Sequence, residues 1–353
     1  MNWREDGRRI IGANMRVNLK MVIASGLVAL TIGSGAWLYL RAPDCIVWEP
    51  ESLPGIEPGK HYLYVAMGGC DSVLAIDTKT QTVAAYTGLA GQFPHGLMYD
   101  SKRQLVYVAN EKSDDMSVLG LPDFSPRARV DTGDFPVDVI LASDKILVTN
   151  FSGDSVSVIN PVTLKLERVL DSVAATHFAQ SPDGKYTYLS NWSEDTVSVL
   201  DDRLEAVVDV INTGTRPNHL TFSRDGRFVY VTNYKGDSVT VIDHNARRAI
   251  AEIPVGKRPM TPITTADRLY VANIESGTIS VINLENNQML TEIPTGGNPQ
   301  HLAIVGNWLY VTNPDLELIQ VIDLSQKRVV KEILTGPSPQ QISPRYLNEV
   351  PLY

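Results

Sequence analysis

The sequence has little of several features on which catalytic and metal sites are commonly built. Its 353 residues include only two cysteines and six histidines, and aromatic residues make up 7% of the chain. It contains no Gly-x-Ser-x-Gly nucleophile elbow, phosphate-binding glycine loop, HExxH zinc motif or CxxCH haem-attachment motif. The enzyme classes that carry such a compact signature are therefore excluded, and any active site must be assembled from scattered residues.

Charge is distributed unevenly along the chain. The formal net charge is −9, yet residues 1–40 carry five basic and two acidic side chains, so the remainder carries −12. An acidic body repels the phosphate backbone of nucleic acids. We therefore expect no nucleic-acid partner.

A strand–turn–strand pattern is present at residues 228–242. Residues 228–232 and 239–242 are rich in aromatic and β-branched residues, and Asn-Tyr-Lys-Gly-Asp-Ser between them has turn chemistry. Apolar residues occupy both phases of the alternation, which predicts that both faces of this hairpin are covered. A single hairpin cannot provide that cover by itself.

The hairpin occurs seven times, and successive copies are 43, 40, 41, 42, 40 and 40 residues apart. Each copy is followed by a third apolar run and preceded by a further short strand. Four strands per period of about 40 residues is typical of a propeller blade. We therefore predict an all-β chain that forms a seven-bladed β-propeller of four-stranded blades. The copies begin at Tyr64, Tyr107, Leu147, Tyr188, Tyr230, Tyr270 and Tyr310.

The repeat consensus resembles the YVTN family of β-propellers, which includes YncE-like and surface-layer-like repeat proteins. The resemblance lies in Tyr-Val-Thr-Asn at Tyr230, Ser-Val-x-Val-Ile-Asp at Ser238 and the Ser-Pro-Asp-Gly turn at Ser181. It covers residues 61–346 and implies the fold more strongly than an activity, because propellers have many unrelated functions. Relatives of this type include haem-binding and dehydrogenase-subunit domains.

The first hairpin has no good innermost strand before it, whereas Pro339-Gln340-Gln341-Ile342 matches that strand after the last copy. We therefore expect the C-terminal segment to complete the first blade, which would leave no long unpaired sheet edge. Residues 347–353 would be a short tail.

Residues 21–40 contain no charged side chain and are mostly apolar, and twenty helical residues span about 30 Å, enough to cross a bilayer. Basic residues precede this segment and acidic residues follow it. The positive-inside rule then predicts a cytoplasmic tail at 1–20, a signal anchor at 21–40 and a propeller in the periplasm or extracellular space. The alternative is a signal peptide cleaved near Ser34-Gly35-Ala36, which would release a secreted protein.

Residues 41–60 contain four prolines and predict an extended spacer between the anchor and the ring. Cys45 lies in this spacer and Cys70 in the turn of the first repeat. In an oxidising compartment these two are candidates for a disulfide. Two free thiols, or a metal-binding role for Cys70, are the alternatives.

Four of the six histidines fall where the inner strands begin near the central channel, and His95 sits one place earlier than the others relative to its Pro. Converging imidazoles could ligate copper, zinc or haem iron. The alternative is that each imidazole bonds a neighbouring backbone group. The residues at these positions are His95, Asp138, His177, His219, Thr261, His301 and Gln341.

A second candidate site combines aromatic and cationic residues on neighbouring repeats. The position after the repeat Asn is Phe151, Trp192 and Tyr234 in three consecutive blades, and the links between blades supply cations. Such a surface suits an anionic ligand or a partner's peptide. The alternative is that these turn residues vary independently. The cations are Arg216, Lys257 and Arg258.

Two further residue sets recur too regularly to be catalytic, and we interpret both as structural. The first is the repeat Asn at the end of the second strand: Asn110, Asn150, Asn191, Asn233, Asn273 and Asn313. The second is the Asp at the end of the third strand: Asp77, Asp201, Asp243 and Asp323.

Three functional hypotheses follow from these features. The first is an exported, membrane-anchored propeller that binds a ligand or protein through its rim and needs no cofactor. The second is an enzyme or cofactor-handling protein that uses the rim histidines with copper, zinc or haem, with a lactonase-like hydrolase as a weaker variant. The third is a cell-surface adhesion protein. The absence of a catalytic signature favours the first.

Overall fold

The computed structural model describes residues 21–24, 27–32, 36–41, 45–48, 53–57, 59–88, 90–171, 175–344 and 346–347. The chain divides into two compact units, Met1–Ser52 and Leu53–Tyr353.

The first unit contains one four-stranded antiparallel sheet in which each strand pairs with the next. The sequence predicted one helix over residues 21–40, and the structure has short strands there instead. Glycines at 26, 33 and 35 divide the apolar run, and β-branched residues are frequent in its pieces, which favours strands over a continuous helix. The strands are Met21–Ala24, Leu27–Ile32, Ala36–Arg41 and Cys45–Trp48.

A membrane-spanning helix is not found in the part of the chain that the structure describes. The anchor therefore stays a prediction from the sequence. The predicted cytoplasmic tail at 1–20 lies outside the described residues.

The second unit is a seven-bladed β-propeller, as predicted. Each blade is an antiparallel sheet, and the inner strands of successive blades contact one another around the ring. The inner strands are Pro339–Ser343 in blade 1, then Pro94–Asp100, Pro136–Ala142, Ala175–Gln180, Pro217–Phe222, Pro259–Thr264 and Leu302–Val305. The second strands are Tyr62–Met67, Leu105–Asn110, Lys145–Asn150, Tyr186–Asn191, Phe228–Asn233, Arg268–Asn273 and Trp308–Asn313.

The outer half of each blade follows the same order. The third strands are Ser72–Asp77, Asp115–Gly120, Ser155–Ile159, Thr196–Asp201, Ser238–Asp243, Thr278–Asn283 and Leu318–Asp323. The outer strands are Thr82–Thr87, Ser125–Asp131, Leu166–Asp171, Val207–Asn212, Arg248–Pro254, Gln288–Pro294 and Arg328–Leu334. Short 3₁₀ turns occupy Gly68–Cys70 and Pro314–Leu316.

The ring is closed by strands from both ends of the unit. Pro339–Ser343 pairs antiparallel with Tyr62–Met67, so that Pro339 lies opposite Met67 and Ser343 opposite Tyr64. Tyr346–Leu347 then pairs in parallel with the inner strand of blade 7. Blade 1 is therefore complete only when the last segment of the propeller is present.

The second strands explain why apolar residues occupy both phases of the alternation. Val229 and Val231 pack in a cluster with Tyr188 of the preceding blade, whereas Tyr230 between them packs with Leu269 of the next blade. Each strand thus buries one face toward each neighbouring blade. Full burial of a side chain of this size stabilises the fold by about 1.5–3 kcal/mol.

Candidate functional site

The upper face is the side of the ring on which the inner strands begin. In blade 5 the first inner-strand residue, Pro217, pairs with Asn233 at the end of the second strand. The turn that follows Asn233 therefore lies on the same face as the link entering Pro217. Both sets of predicted site residues lie at this face.

The repeat Asn is buried and supports its turn, as the sequence indicated. Asn233 donates from Nδ2 to Ser238 Oγ and Thr240 Oγ1, both at 2.9 Å. Equivalent pairs hold Asn150, Asn191 and Asn273. The link glycine lies against this amide, because a Cβ on Gly214 would overlap the Asn233 side chain. Any larger residue in the link would displace the turn.

A further interaction joins neighbouring blades. Arg216, just before the inner strand of blade 5, has a φ of +56°. Its N–H donates to Asp195 Oδ1 of blade 4 at 2.7 Å, and its carbonyl accepts from the Tyr234 N–H at 2.8 Å. Phe93, Phe135 and Arg258 repeat this arrangement with the aspartates at 71, 114 and 237. We call the link residue, this Asp and the repeat Asn the turn frame.

Sequence reasoning missed the turn-frame aspartates. The signal was available, since Asp71, Asp114, Asp195 and Asp237 each directly precede a third strand. The side chain of the link residue is not used by these backbone bonds. The turn frame therefore places the side chain of the link residue on the upper face, and this position does not depend on which residue it is.

Four of the predicted aromatic and cationic residues form one group, which we call the aromatic surface: Trp192, Tyr234, Arg216 and Arg258. The Trp192 and Tyr234 rings are 5.1 Å apart at an interplanar angle of 46°. Arg216 Cζ lies 5.2 Å from the Trp192 ring centroid, and Arg258 Cζ lies 5.8 Å from that of Tyr234. Each ring therefore has a guanidinium beside its face, an attractive arrangement.

Phe151 and Lys257 lie outside this group. Phe151 is 37% exposed, and its ring lies 6.0 Å from that of Phe135, the link residue of its own blade. Lys257 is exposed beside Arg258. A further cation not predicted from the sequence is Lys235, whose Nζ lies 5.9 Å from the Tyr234 ring centroid. The predicted patch over blades 3 to 5 is thus an aromatic surface with a separate phenylalanine pair beside it.

Arg258 forms an ion pair with Glu275. Its Nε lies 3.0 Å from Glu275 Oε2, and both side chains are more than two-fifths exposed. Exposed pairs of this kind contribute little to stability. The pair nevertheless reduces the positive potential that Arg258 offers to an anion.

The four predicted histidines come together at the upper end of the channel. His177 and His219 stack with ring centroids 3.4 Å apart and an interplanar angle of 23°. His219 meets His301 edge to face at 5.1 Å, and His301 meets His95 in the same way at 6.0 Å. His177, His219 and His301 are almost completely buried.

The other residues predicted at the inner-strand entrances lie in the same layer. His177 Nδ1 is 3.3 Å from Asp138 Oδ2, and Thr261 Oγ1 is 3.4 Å from His301 Nδ1. Gln341 accepts the Leu97 N–H at 3.0 Å. We call Asp138, His177, His219, Thr261, His301 and Gln341 the histidine layer.

Blade 2 contributes differently to this layer. Gly96, not His95, occupies the equivalent position, and a Cβ there would lie 2.7 Å from Asp138 Cα and overlap the Val137 carbonyl. His95 stands one place earlier and donates from Nδ1 to the Val137 carbonyl at 2.9 Å. Burial lowers the pKa of His95 to about 4, so this ring is neutral at pH 7.

The copper, zinc or haem site considered for the histidines stays a prediction, and the arrangement of two of the rings bears on it. Among the described residues, no group of three or more His, Cys, Asp and Glu side chains has the arrangement of a metal centre. Imidazoles bind metals through lone pairs in the ring plane, and stacked rings direct those lone pairs along nearly parallel planes. His177 and His219 therefore do not converge on a single ion.

A titratable residue that sequence reasoning did not select is Glu111, which follows the repeat Asn of blade 2. It is half-buried, and desolvation raises its pKa to about 7, with Lys112 acting in the opposite direction. A carboxyl group with such a pKa can exchange a proton near neutral pH.

Neither of the two cysteines is present as a free thiol. The predicted pairing of Cys45 with Cys70 stays a prediction, which peptide mapping under non-reducing conditions would test.

Comparison with known proteins identifies the repeat. A model of the YNCE-like β-propeller family matches residues 72–270, more than half of the chain. The chain belongs to the YNCE-like β-propeller family. Among curated proteins it is similar to Antigen Lp49 of Leptospira interrogans, at 24% identity over 216 residues. That match covers 58% of this chain and 47% of the antigen, so it spans about half the length of the relative.

Solved structures share the fold of this YNCE-like propeller. A putative 6-phosphogluconolactonase from Bacteroides fragilis superposes with a TM-score of 0.70 at 18% identity, covering 82% of this chain and 99% of the other. The periplasmic gluconolactonase of Pseudomonas aeruginosa superposes with a TM-score of 0.67 at 19% identity, covering 80% and 98%. Identities this low show the fold alone.

Proposed function

We propose that this YNCE-like propeller is an exported, membrane-anchored binding module whose aromatic surface holds an anionic ligand or an acidic peptide of a partner protein. The observation that carries the proposal is the pairing of Trp192 with Tyr234, with Arg216 and Arg258 beside their faces. Aromatic and arginine side chains are the residue types that dominate binding energy at protein interfaces.

The aromatic surface is not required by the fold. The turn frame of blade 6 has the same backbone bonds, yet its residue after the repeat Asn is Ile274, and the corresponding residue of blade 7 is Pro314. The fold does not require the adjacent rings of Trp192 and Tyr234, and their presence therefore supports a binding role.

Binding would be tested by titrating the purified protein with 4-nitrophenyl phosphate, with glutamate-rich peptides that contain tyrosine, and with uncharged analogues of both. We expect the anionic probes to bind and the uncharged analogues to bind at least tenfold more weakly. Trp192→Ala should weaken binding of the anionic probes about tenfold or more, as at an interface hot spot. Ile274→Ala, on the same face, is the matched control and should change affinity less than twofold. Equal affinities for Trp192→Ala and the unchanged protein would refute the assignment.

Export and anchoring rest on the uncharged segment at 21–40 and the basic residues before it. Cell fractionation followed by protease treatment of intact spheroplasts should place the propeller in the membrane fraction and make it accessible from outside. A propeller that stays protected inside spheroplasts would contradict this orientation.

A hydrolase acting on a lactone is the second candidate, because Glu111 on the upper face has a pKa near neutrality. A carboxylate of this kind can act as a general base toward water. The gluconolactonases that share the fold suggest sugar lactones as substrates. Activity on a panel of sugar lactones that disappears in Glu111→Gln, with an unchanged melting temperature, would favour this candidate over the binding module.

A further inference from the structure

The lower face is the side of the ring on which the inner strands end, and it has an open cleft between blades 5 and 6. The cleft has a volume of about 760 Å³, which lies within the range of small-molecule sites. We call it the blade 5–6 cleft. Its lining includes Asp225, Phe228, Tyr230, Asp267, Leu284 and Glu285.

The cleft is open because the turn after the inner strand is shorter in blade 6 than in blades 4 and 5. Five residues form this turn in blade 4 (181–185) and in blade 5 (223–227), but only three form it in blade 6 (265–267). The long turns of blades 4 and 5 touch, since a Cβ on Gly226 would lie 3.2 Å from Pro182 Cγ. The shorter turn of blade 6 leaves the corresponding space open.

The interface between blades 4 and 5 shows how the chain itself fills this kind of space. His244 Nδ1 of blade 5 lies 2.8 Å from the Tyr188 hydroxyl of blade 4. Arg247 donates from Nη2 to the Tyr186 hydroxyl at 2.7 Å, and its Cζ lies 4.4 Å from the centroid of that ring. Two planar nitrogen groups, one of them a cation, therefore complete this interface.

Blade 5 has aromatic rings at the same places as blade 4. Phe228 and Tyr230 are the first and third residues of its second strand, as Tyr186 and Tyr188 are in blade 4. Tyr230 is 1% exposed and lines the cleft, and its hydroxyl has no hydrogen-bond partner among the described residues. Desolvation raises the pKa of Tyr230 to about 12. The hydroxyl is therefore neutral at pH 7 and can accept an N–H from a ligand.

Blade 6 lacks the nitrogen groups that complete the neighbouring interface. His244 and Arg247 follow the third strand of blade 5 by one and four residues, and the residues at those distances in blade 6 are Leu284 and Asn287. The side chain of Leu284 has no group that could bond to the Tyr230 hydroxyl. The cation that Arg247 supplies in one interface thus has no counterpart at this position in the next.

The described lining of the cleft has three carboxylates and two arginines. Arg268 is paired with Asp267 at 2.9 Å, and Arg224 donates to a backbone carbonyl of blade 6. Asp225 accepts hydrogen bonds from its own turn through Oδ1 only. The carboxylate of Glu285 is exposed and has no partner among the described residues. Asp225 and Glu285 can therefore both pair with a cation in the cleft.

We propose that the blade 5–6 cleft binds a planar organic cation whose head group bears N–H donors, as a guanidinium does. The head group donates to the Tyr230 hydroxyl and pairs with Asp225 and Glu285, and its hydrocarbon stem packs against Phe228 and Leu284. The ligand thereby supplies the groups that His244 and Arg247 supply between blades 4 and 5. The site lies on the opposite face from the aromatic surface, so it does not depend on the function proposed above.

The test is isothermal titration calorimetry of the purified protein with butylguanidinium, butylurea and butylammonium. Butylguanidinium should bind at least tenfold more tightly than butylurea, which has a similar shape without the charge. It should also bind more tightly than butylammonium, whose head group is not planar. Equal binding of butylguanidinium and butylurea, or binding of butylammonium that is as tight, would overturn the proposal.

A guanidinium can belong to a free small molecule or to an arginine side chain of a partner, and a peptide separates these two sources. Acetyl-Gly-Arg-Gly-amide has the same head group on a peptide backbone. Tighter binding of this peptide than of butylguanidinium would assign the cleft to a protein partner, and weaker binding would assign it to a small molecule.

Two matched tyrosine variants locate the site. Tyr230→Phe removes only the hydroxyl that faces the cleft and should weaken binding of butylguanidinium about tenfold or more, as expected for a lost hydrogen bond to a charged group. Tyr188→Phe makes the same change in the interface that His244 completes, and it should leave binding unchanged. Unchanged binding in Tyr230→Phe, with the melting temperature retained, would refute the assignment.

Two further variants change the charge and the space in the cleft. Glu285→Gln should weaken binding of butylguanidinium about twofold to fivefold, because the pair it would form is exposed. The double substitution of Leu284→His with Asn287→Arg introduces the nitrogen groups of blade 5 and should abolish binding. A double variant that keeps its melting temperature and still binds butylguanidinium fully would contradict the placement of the ligand.

Discussion

Blades 5 and 6 have the same backbone at the upper face and different side chains on it. The Tyr234 N–H bonds to the carbonyl of Arg216, and the Ile274 N–H bonds in the same way to that of Arg258. Asn233 and Asn273 make equivalent bonds beneath them. Tyr234 nevertheless lies beside an indole and two cations, whereas Ile274 is followed by Glu275. The backbone therefore sets the position of the side chain that follows the repeat Asn, and the residue type at that position sets its binding properties.

The comparison separates residues that maintain the ring from residues that are presented on it. Substituting a residue that maintains the ring should lower the stability of the protein, whichever blade it lies in. Substituting a residue that is only presented on the upper face should change ligand binding and leave stability unchanged. The following experiments test that separation, beginning with the largest expected effect.

Deletion of residues 339–353 removes the inner strand of blade 1 and should destabilise the whole ring. The lost pairing with Tyr62–Met67 leaves blade 1 with three strands and exposes an edge. We expect a fall of roughly 10 °C or more in melting temperature, measured by circular dichroism. Deletion of residues 348–353 alone is the control. An unchanged melting temperature in the longer deletion would show that closure is not needed for stability.

Asn233→Ala and Tyr234→Ala change adjacent residues with different roles. The first removes bonds to Ser238 and Thr240 and leaves buried hydroxyls with fewer partners, so it should lower the free energy of unfolding by about 2 kcal/mol or more. The second should change it by less than about 1 kcal/mol, because the frame uses only the Tyr234 backbone. Chemical denaturation measures both. A larger loss in Tyr234→Ala would mean that the aromatic surface helps to hold the ring together.

Arg216→Gln and Arg258→Gln test which cation matters more for an anionic ligand. Arg258 is paired with Glu275, so we expect its removal to weaken binding less than removal of Arg216. Glu275→Gln should strengthen binding about twofold to fivefold by releasing that guanidinium. Titration at low and high salt measures these effects, and a gain that persists at high salt would argue against an electrostatic cause.

Glu111 should give the smallest effect, a pH dependence of stability. Its pKa in the folded protein is raised to about 7 from an ordinary value of 4.5, so folding favours the protonated form. The wild-type protein should therefore lose stability relative to Glu111→Gln as the pH rises from about 4.5 through 7. Partial exposure of this side chain keeps the difference small.

Urea denaturation at pH 5 and pH 8 measures this difference. Glu194→Gln, which changes an exposed glutamate of the blade 4 turn, is the matched control. A variant Glu111→Gln that loses stability in parallel with the wild-type protein would contradict the raised pKa.

Much of the ring could be predicted from the repeat, because each copy contains its own strands and turn residues. The spacing of Tyr64 to Tyr310 predicted seven blades, and Pro339-Gln340-Gln341-Ile342 indicated the strand that the structure pairs with Tyr62–Met67. The turn-frame aspartates were visible in the sequence and were not interpreted. The structure has strands within residues 21–40, where the sequence predicted a helix, and the signal anchor stays a prediction.

The candidate sites were predicted less completely, because they depend on distances between blades. Equivalent positions indicated that His177, His219 and His301 converge, but not that the rings of His177 and His219 stack. The raised pKa of Glu111 arises from desolvation by burial, which the sequence of its turn does not reveal.

The sequence by itself determined the number of blades, the strand order and the chemistry of each turn, because these are written within every period of about 40 residues. The tertiary structure alone decided which side chains meet. Closing seven blades around one axis brings inner strands far apart in the chain to within contact distance. The contacts among Trp192, Tyr234 and Arg216 and the stacking in the histidine layer depend on how the blades pack against one another.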